Sequence, residues 1–297
     1  MGNKEIIIHE KPELNNPQLV ASFGGWPDAA HAGTATVSYL IRKLKPQKFA
    51  EIAAKEFYDL STDRPTAIID QGLIQSVKLP ANNFFYWKGE TANRDTVLLW
   101  GTEPNLKWQE YVDSILEFTK QLKINKIYLV GGLYDEIPHT REPKITGVVS
   151  LPHLREVLRK HDIEPLTYKG PSSLYSLLLA TCRQREIEAV NLWGHAPFYV
   201  RTESNPAVCL ALLRKLTELS GIEVDLEEME RAAEYLQGVL NKLLVENEEL
   251  SRYIQKLEEQ YEAEGGRPAG PVEGADRIIR EVEDFLRTQR GEEDTPE

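Results

Sequence analysis

The first 220 residues alternate between two patterns of hydrophobic and polar positions. Short apolar runs rich in Val, Ile and aromatic residues, such as Leu19–Phe23, Val97–Trp100 and Ala189–Trp193, predict strands. Segments with apolar residues three or four positions apart, such as Leu106–Leu122, predict helices with one buried face. Regular alternation of the two patterns in the second half predicts parallel strands with helices on both faces of the sheet.

One stretch departs from this alternation. Between Phe49 and Trp100 the chain has five strand signals and no helical signal. Successive strands without an intervening helix are not typical of a purely parallel α/β sheet, so the sheet is expected to be mixed. The sequence therefore predicts an α/β core domain with a mixed central sheet over residues 1–220.

A heptad pattern dominates the remainder, residues 221–297. One core position is filled by Leu226, Ala233, Leu240, Asn247, Ile254 and Tyr261, and the other by Met229, Leu236, Leu243, Leu250 and Leu257. Such a pattern predicts one long helix over residues 225–261 that buries an apolar seam, as in a coiled coil. Asn247 either fixes the register of this seam or lies where the seam opens to water.

A breaker-rich linker at 262–274 and a second helical pattern at 276–290 complete a predicted acidic helical hairpin. At 1.5 Å per residue the long helix would measure about 55 Å and the last helix about 22 Å. The last helix therefore covers only the distal seam, and the proximal seam meets either the core domain or another chain. The residues expected at an oligomer or partner interface are Leu236, Leu240, Leu243, Asn247 and Leu250.

The net charge of −12 is unevenly distributed. Residues 221–297 hold 22 acidic and 9 basic residues, a balance of −13, and the rest of the chain is close to neutral. A nucleic-acid partner is not expected, because such proteins cluster positive charge. No apolar run approaches the roughly 18 residues of a membrane span. Only two cysteines, Cys182 and Cys209, are present, so we expect a cytoplasmic protein without a disulfide framework.

Familiar signatures of enzymes are missing from the sequence. It has no phosphate-binding loop, dinucleotide fingerprint, zinc-protease motif or nucleophile elbow. None of the six histidines is paired with another at the i, i+4 spacing. We therefore expect neither a cofactor nor a metal site.

Polar, glycine-bearing loops nevertheless follow several predicted strands, and such loops collect at one edge of an α/β sheet, where ligands bind. The candidate catalytic residues, if the protein is an enzyme, are Asp28, Glu103, His139, Arg141 and His195. The candidate ligand-binding residues are Gly24, Gly25, Trp26, Gly170 and Ser172. Alternatively, Gly and Pro serve tight turns here, with Asp28 and Ser172 as helix caps.

Taken in order, several segments resemble the proteasome assembly chaperone 2 family. They are Gly25-Trp26-Pro27-Asp28, Asp63-Arg64-Pro65, Gly101-Thr102-Glu103-Pro104, Pro138-His139-Thr140-Arg141, Tyr168-Lys169-Gly170-Pro171, Gly194-His195-Ala196-Pro197 and Asn205-Pro206-Ala207. The resemblance implies a three-layer α/β/α sandwich similar to nucleoside phosphorylases, assembled into homo-oligomers. It departs from the family at Glu142 and at Phe198.

The resemblance also suggests partners. Better-understood relatives bind proteasome α-subunits through a C-terminal hydrophobic–tyrosine–any-residue tail, whereas this sequence ends Thr295-Pro296-Glu297. Two functions are therefore expected to compete. One is a non-catalytic assembly or scaffold protein that binds itself and proteasome-like subunits. The other is an enzyme that binds a nucleoside-like or phosphorylated small molecule in a cleft at the carboxyl ends of the strands.

Overall fold

The computed structural model describes residues 5–52, 56–89, 94–263, 265 and 275–293. It contains one large sheet, one separate hairpin and eight α-helices within these residues. The strands are β1 (Ile6–Ile8), β2 (Gln18–Gly24), β3 (Gln47–Ile52), β4 (Thr66–Asp70), β5 (Leu73–Lys78), β6 (Asn82–Trp87), β7 (Thr96–Thr102), β8 (Lys126–Asp135), β9 (Ile145–Val149), β10 (Glu164–Pro165) and β11 (Glu188–Pro197). The helices are α1 (Ala32–Leu44), α2 (Trp108–Gln121), α3 (Leu154–Lys160), α4 (Leu174–Gln184), α5 (Pro206–Ser220), α6 (Glu227–Glu246), α7 (Glu248–Ala263) and α8 (Ala275–Glu293).

The large sheet has nine strands in the order β1-β3-β6-β7-β2-β8-β11-β9-β10. Its centre is parallel, because β2 pairs parallel with β7 and β8, and β8 pairs parallel with β11. The strands from the stretch without a helix, β3 and β6, pair antiparallel, and β9 runs antiparallel to β11. The mixed sheet predicted from the sequence is therefore confirmed.

Helices cover both faces of this sheet. Alternate residues of β2 point to opposite faces, as the period of a strand requires: Leu19 and Phe23 join one core and Val20 the other. The first core contains the buried faces of α2 and α4, and the second contains those of α1, α3 and α5. The molecule thus has the three-layer α/β/α arrangement that the resemblance implied.

The prediction of a single helix over 225–261 is wrong, because the helix is interrupted at Asn247. This residue has extended backbone angles (φ −126°, ψ 98°) that end α6. Its Oδ1 accepts a hydrogen bond from the backbone N–H of Leu250 (2.9 Å), and its Nδ2 donates to Oε2 of Glu281 (3.0 Å). Asn side chains compete with helical hydrogen bonding and cap helix starts well. Asn247 is therefore a helix cap and contacts α8.

The seam of these helices is closed within the chain. Leu240, Leu243 and Leu250 are buried in a third apolar cluster that also contains Tyr199 and Val200, which directly follow β11. Leu236 is half-buried against the same cluster. The predicted linker 262–274 falls largely outside the described residues, and the helix predicted at 276–290 corresponds to α8.

The proximal seam meets the core domain, which is one of the two alternatives left open by the sequence. Leu226 and Met229 pack against the second core. Arg42 and Lys43 of α1 form ion pairs with Glu228 of α6 at 2.7 Å and 3.1 Å. These contacts lower the pKa of Glu228 to about 2, chiefly through the hydrogen bond from Arg42. The region 221–263 is therefore anchored along the body of the molecule.

The remaining element is the hairpin β4–β5, which forms a two-stranded sheet of its own. Its strands pair antiparallel with an irregularity between Ile68 and Ile69. Nearly all of its residues are exposed, including the large apolar ones. Among the described helices, none is long and apolar enough to cross a membrane.

Candidate functional site

The loop after β2 is built around Asp28. Its Oδ1 accepts hydrogen bonds from the backbone N–H groups of Gly33 (2.8 Å) and Thr34 (3.0 Å), and the Thr34 hydroxyl donates to Oδ2. Burial raises the pKa of Asp28, and these hydrogen bonds oppose the rise. A Cβ atom at Gly33 would lie 2.3 Å from the carbonyl oxygen of Val130, so only glycine allows this approach to β8. Asp28 therefore caps the start of α1, as the alternative from turn chemistry predicts.

Glu103 has a similar structural task after β7. Its Oε1 accepts a hydrogen bond from the backbone N–H of Leu174 (2.7 Å), the first residue of α4. Its own backbone N–H donates to the carbonyl oxygen of Gly24 (2.8 Å). Burial is the main reason why the pKa of Glu103 is raised. The carboxylate caps α4 and joins that helix to the loop after β2.

His139 and Arg141 face the C-terminal helices. The hydroxyl of Tyr199 accepts a hydrogen bond from the backbone N–H of His139 (2.7 Å) and lies 2.8 Å from its Nδ1. Burial lowers the pKa of His139 to about 4. Arg141 forms ion pairs with Glu258 (3.0 Å) and Glu262 (2.5 Å) of α7. The loop between β8 and β9 therefore holds α7 against the body.

A small cavity beside this loop leaves no room for a substrate. It is lined by His139, Arg141 and residues of α5 and α6, and its volume is about 20 Å³. A space of this size holds about one water molecule. The loop is thus an internal contact rather than the wall of a binding cleft.

A much larger cleft opens on the sheet face that carries α4. Its volume is about 1130 Å³, and it lies over β8, β9 and β11. The segment Glu164–Tyr168 forms another part of the wall. Of the five candidate catalytic residues, only His195 lines this cleft, so the structure does not bring the five together.

The chemistry of the cleft centres on His195, which is almost completely buried. Its Nδ1 lies 2.6 Å from Oδ2 of Asp135 on β8, and its Nε2 lies 2.9 Å from Oγ1 of Thr146 on β9. The other carboxylate oxygen of Asp135 accepts a hydrogen bond from the backbone N–H of Glu136 (2.9 Å). Sequence reasoning missed Asp135 and Thr146, because their contacts with His195 depend on the pairing of three strands.

Of the five candidate ligand-binding residues, only one lines the cleft. Trp26 lines the cleft and is exposed, and Tyr168 also lines the cleft and is exposed. Gly24, Gly25, Gly170 and Ser172 do not line it, although Pro171 and Ser173 do. Among the described residues, no group of three or more His, Cys, Asp or Glu side chains is placed to hold a metal ion.

Comparisons with known proteins agree on one family. The sequence profile of the PAC2 family matches residues 22–244. A PAC2 family protein from Streptomyces avermitilis has a similar structure, with 32% identity, a TM-score of 0.70, and coverage of 76% of this chain and 95% of that one. The Mycobacterium tuberculosis proteasome-assembly chaperone homologue Rv2125 is 28% identical, with a TM-score of 0.73 and coverage of 80% of this chain and 99% of that one.

One relative in sequence is similar over most of its length. An uncharacterized protein of Methanocaldococcus jannaschii, MJ1210, is 25% identical over 255 residues, which cover 84% of this chain and 93% of the relative. The similarity therefore extends over most of both chains.

Proposed function

This chain belongs to the PAC2 family, and we propose that it acts as an assembly chaperone that forms homo-oligomers and binds proteasome-related proteins. The role requires binding surfaces and no chemistry. The similarity to a proteasome-assembly chaperone homologue that is 28% identical supports it. Two buried, free cysteines are consistent with a cytoplasmic location, which we include in the proposal.

The observation that carries this proposal is the uncovered hairpin β4–β5. Its register puts the apolar residues Ala67, Ile69, Ile74 and Val77 on one face, with Gln75 at the irregularity beside them. The exposed fractions of Ile69, Ile74 and Val77 are 64%, 55% and 57%. The hairpin is a two-stranded sheet apart from the large sheet, and an isolated two-stranded hairpin is marginally stable in water. A contiguous apolar patch of this kind marks an interaction surface.

We propose a second copy of the chain as the occupant of this surface. The opposite face of the hairpin carries Asp70 next to the turn and Lys78 at the other end. Two hairpins that pack about a two-fold axis would bring their apolar faces together, with Asp70 and Lys78 of each copy on the outer, solvent side. The apolar faces would then bury each other, and the interface would be self-complementary.

A proteasome-related partner would use a different surface. Because Leu240, Leu243 and Leu250 are buried within the chain, we propose that such a partner contacts the exposed, acidic side of α6 and α7. The terminal residues Thr295, Pro296 and Glu297 lie outside the described residues.

Light scattering coupled to size-exclusion chromatography tests the hairpin interface. The double variant Ile69→Asp/Ile74→Asp buries two charges in the proposed interface, so its native mass is expected to fall to that of a monomer. Val245→Asp is the matched control, because Val245 is also apolar and 88% exposed but lies on α6 rather than on the hairpin. An unchanged native mass for the double variant, or an equal fall for the control, contradicts the interface.

A pull-down with the full-length chain tests the partner separately. Proteasome subunits are expected to co-purify at near-stoichiometric amounts from a lysate of the source organism, identified by mass spectrometry. The hairpin double variant is included to show whether binding requires the oligomer. Recovery of the bait alone would contradict the chaperone role, but it would not contradict the proposed homo-oligomer.

A further inference from the structure

We propose that the cleft contains a nucleophilic site in which Thr146, activated by His195 and Asp135, accepts the acyl group of a small ester. Asp135, His195 and Thr146 all line the cleft and form one continuous hydrogen-bonded chain. The activity is distinct from the assembly role, because the hairpin and α6 contribute no residue to this cleft.

The order of the contacts fixes the direction of proton transfer. A carboxylate only accepts hydrogen bonds, so Nδ1 of His195 carries a proton and donates it to Asp135. In the tautomer with its proton on Nδ1, the lone pair of the ring lies on Nε2, and the Thr146 hydroxyl donates to it. A hydroxyl that donates to a base, which is itself oriented by a carboxylate, is the arrangement of an activated nucleophile.

A second observation indicates that the cleft is built for a ligand. Asn191 also lines it and is only 1% exposed, yet its Oδ1 has no hydrogen-bond partner. A buried amide oxygen without a partner is costly, and such groups are uncommon unless they serve a function. A ligand with an N–H or O–H group would satisfy it. Asn191 is thus a polar recognition point in the floor of the cleft.

The surroundings define the class of substrate. Leu133, Val148 and Leu179 supply apolar wall, and the exposed ring of Trp26 lies at the same cleft. Lys144 lines the cleft two residues before Thr146, and its Nζ forms an ion pair with Glu164 (2.5 Å). A positive charge favours the negative oxygen that develops during attack on a carbonyl. An ester with an apolar part and one hydrogen-bond donor fits these features.

The proposed hydrolysis needs water as its only other reactant. Thr146 Oγ1 attacks the ester carbonyl while Nε2 of His195 takes the hydroxyl proton. The bond from the carbonyl carbon to the alcohol oxygen breaks, and the alcohol leaves with the proton from Nε2. Water then attacks the acyl-Thr146 ester through the same proton transfers, which releases a carboxylic acid and restores the hydroxyl.

Acylation by p-nitrophenyl acetate tests the proposal on the full-length chain. Intact-mass measurement is expected to show one acetyl group, and peptide mapping is expected to place it on Thr146. Release of p-nitrophenolate should fall by about 100-fold or more in Thr146→Val and in His195→Gln, and Thr146→Ser should retain it. The combined variant Thr146→Val/His195→Gln should release p-nitrophenolate no more slowly than either single variant, because the two residues act as a unit.

The control is another histidine with a carboxylate partner. Nε2 of His153 lies 2.9 Å from Oε1 of Glu188, but this pair is exposed on the surface, so His153→Gln should leave the release rate unchanged. Acetylation at residues other than Thr146, or release by Thr146→Val at the rate of the unmodified chain, would overturn the proposal. Peptide mapping of the acetylated chain without substitutions shows whether Thr146 is the nucleophile, even where a variant does not fold.

Asp135 acts as a positioning residue, and its test is a pH profile. Asp135→Asn keeps the shape of the side chain but favours the other tautomer of His195, with the proton on Nε2. The release rate should therefore drop at neutral pH, and its dependence on pH should change. A purely structural role would lower the stability of Asp135→Asn and leave the pH profile of the remaining activity as it was.

Discussion

The C-terminal helices and the hairpin β4–β5 both carry strongly apolar patterns, but only the helices are covered. Leu250 and Leu257 are buried against Tyr199 and the last helix. In contrast, Ile69 and Ile74 lie exposed on a hairpin outside the large sheet. The helical pattern was the clearer sign of an interface in the sequence, yet it is satisfied within the chain. A hydrophobic pattern shows which side chains need cover, and the fold decides what provides it.

The largest effect expected from this comparison concerns core packing in the helical region. Leu257 has an exposed fraction of 0%, so Leu257→Ala should lower the free energy of unfolding by about 2–5 kcal/mol. Val245→Ala, in the neighbouring helix but 88% exposed, should change it by less than about 0.5 kcal/mol. Denaturant unfolding measures both values. Equal small effects would show that the helices are not part of the folded body.

The pH dependence of stability tests the contact between the C-terminal helices and the loop that carries His139. Burial lowers the pKa of His139 to about 4 in the folded chain, against about 6.5 when unfolded. The unfolded chain therefore binds the proton first. Stability is fully present above about pH 6.5 and decreases as the pH falls toward 4, by up to about 3 kcal/mol.

Thermal unfolding of His139→Gln between pH 4 and 7 measures this contribution. The variant should lose much of the dependence in this range, whereas His153→Gln, which alters an exposed ring, should keep it. If His139→Gln kept the full dependence, the loop would not be covered by α7 as the structure has it.

The cap between α6 and α7 gives the smallest of these effects. Asn247→Ala removes the hydrogen bond to the N–H of Leu250 and should cost about 1 kcal/mol. Asn241→Ala is the control, because Asn241 is exposed inside α6 and should be neutral or slightly stabilising as alanine. Urea unfolding distinguishes the two. A neutral Asn247→Ala would favour the continuous helix of the heptad prediction.

Most of the sheet could be predicted from the sequence, because each strand carries its own local signal. Ala189–Trp193, for example, lies within β11, and the five strand signals without a helix correctly predicted a mixed sheet. The break at Asn247 could not be derived from periodicity, since the apolar positions continue in phase on both sides of it. Only the contact with Glu281, 34 residues later, shows what the side chain does.

The candidate site was less predictable, because its contacts join residues far apart in the chain. His195 was identified as a polar residue in a loop-like motif, but its partners are 49 and 60 residues away. Asp135 is the last residue of β8 and Thr146 the second residue of β9, so neither stood out in the sequence. Asp28 and Glu103 looked catalytic for a sound reason, since they are carboxylates at strand ends, but backbone N–H groups of neighbouring segments occupy them.

The burial of Tyr199 and Val200 beneath residues 240–282 has a consequence for the order of synthesis. A ribosome adds roughly 5–20 residues per second, so this patch stays uncovered for roughly 4–16 seconds after it has been made. The sheet can form during that interval, but Tyr199 and Val200 are fully covered only when the last helix has emerged. Premature termination after Ser220 would therefore release a chain with an open apolar surface, prone to aggregate before it met any partner.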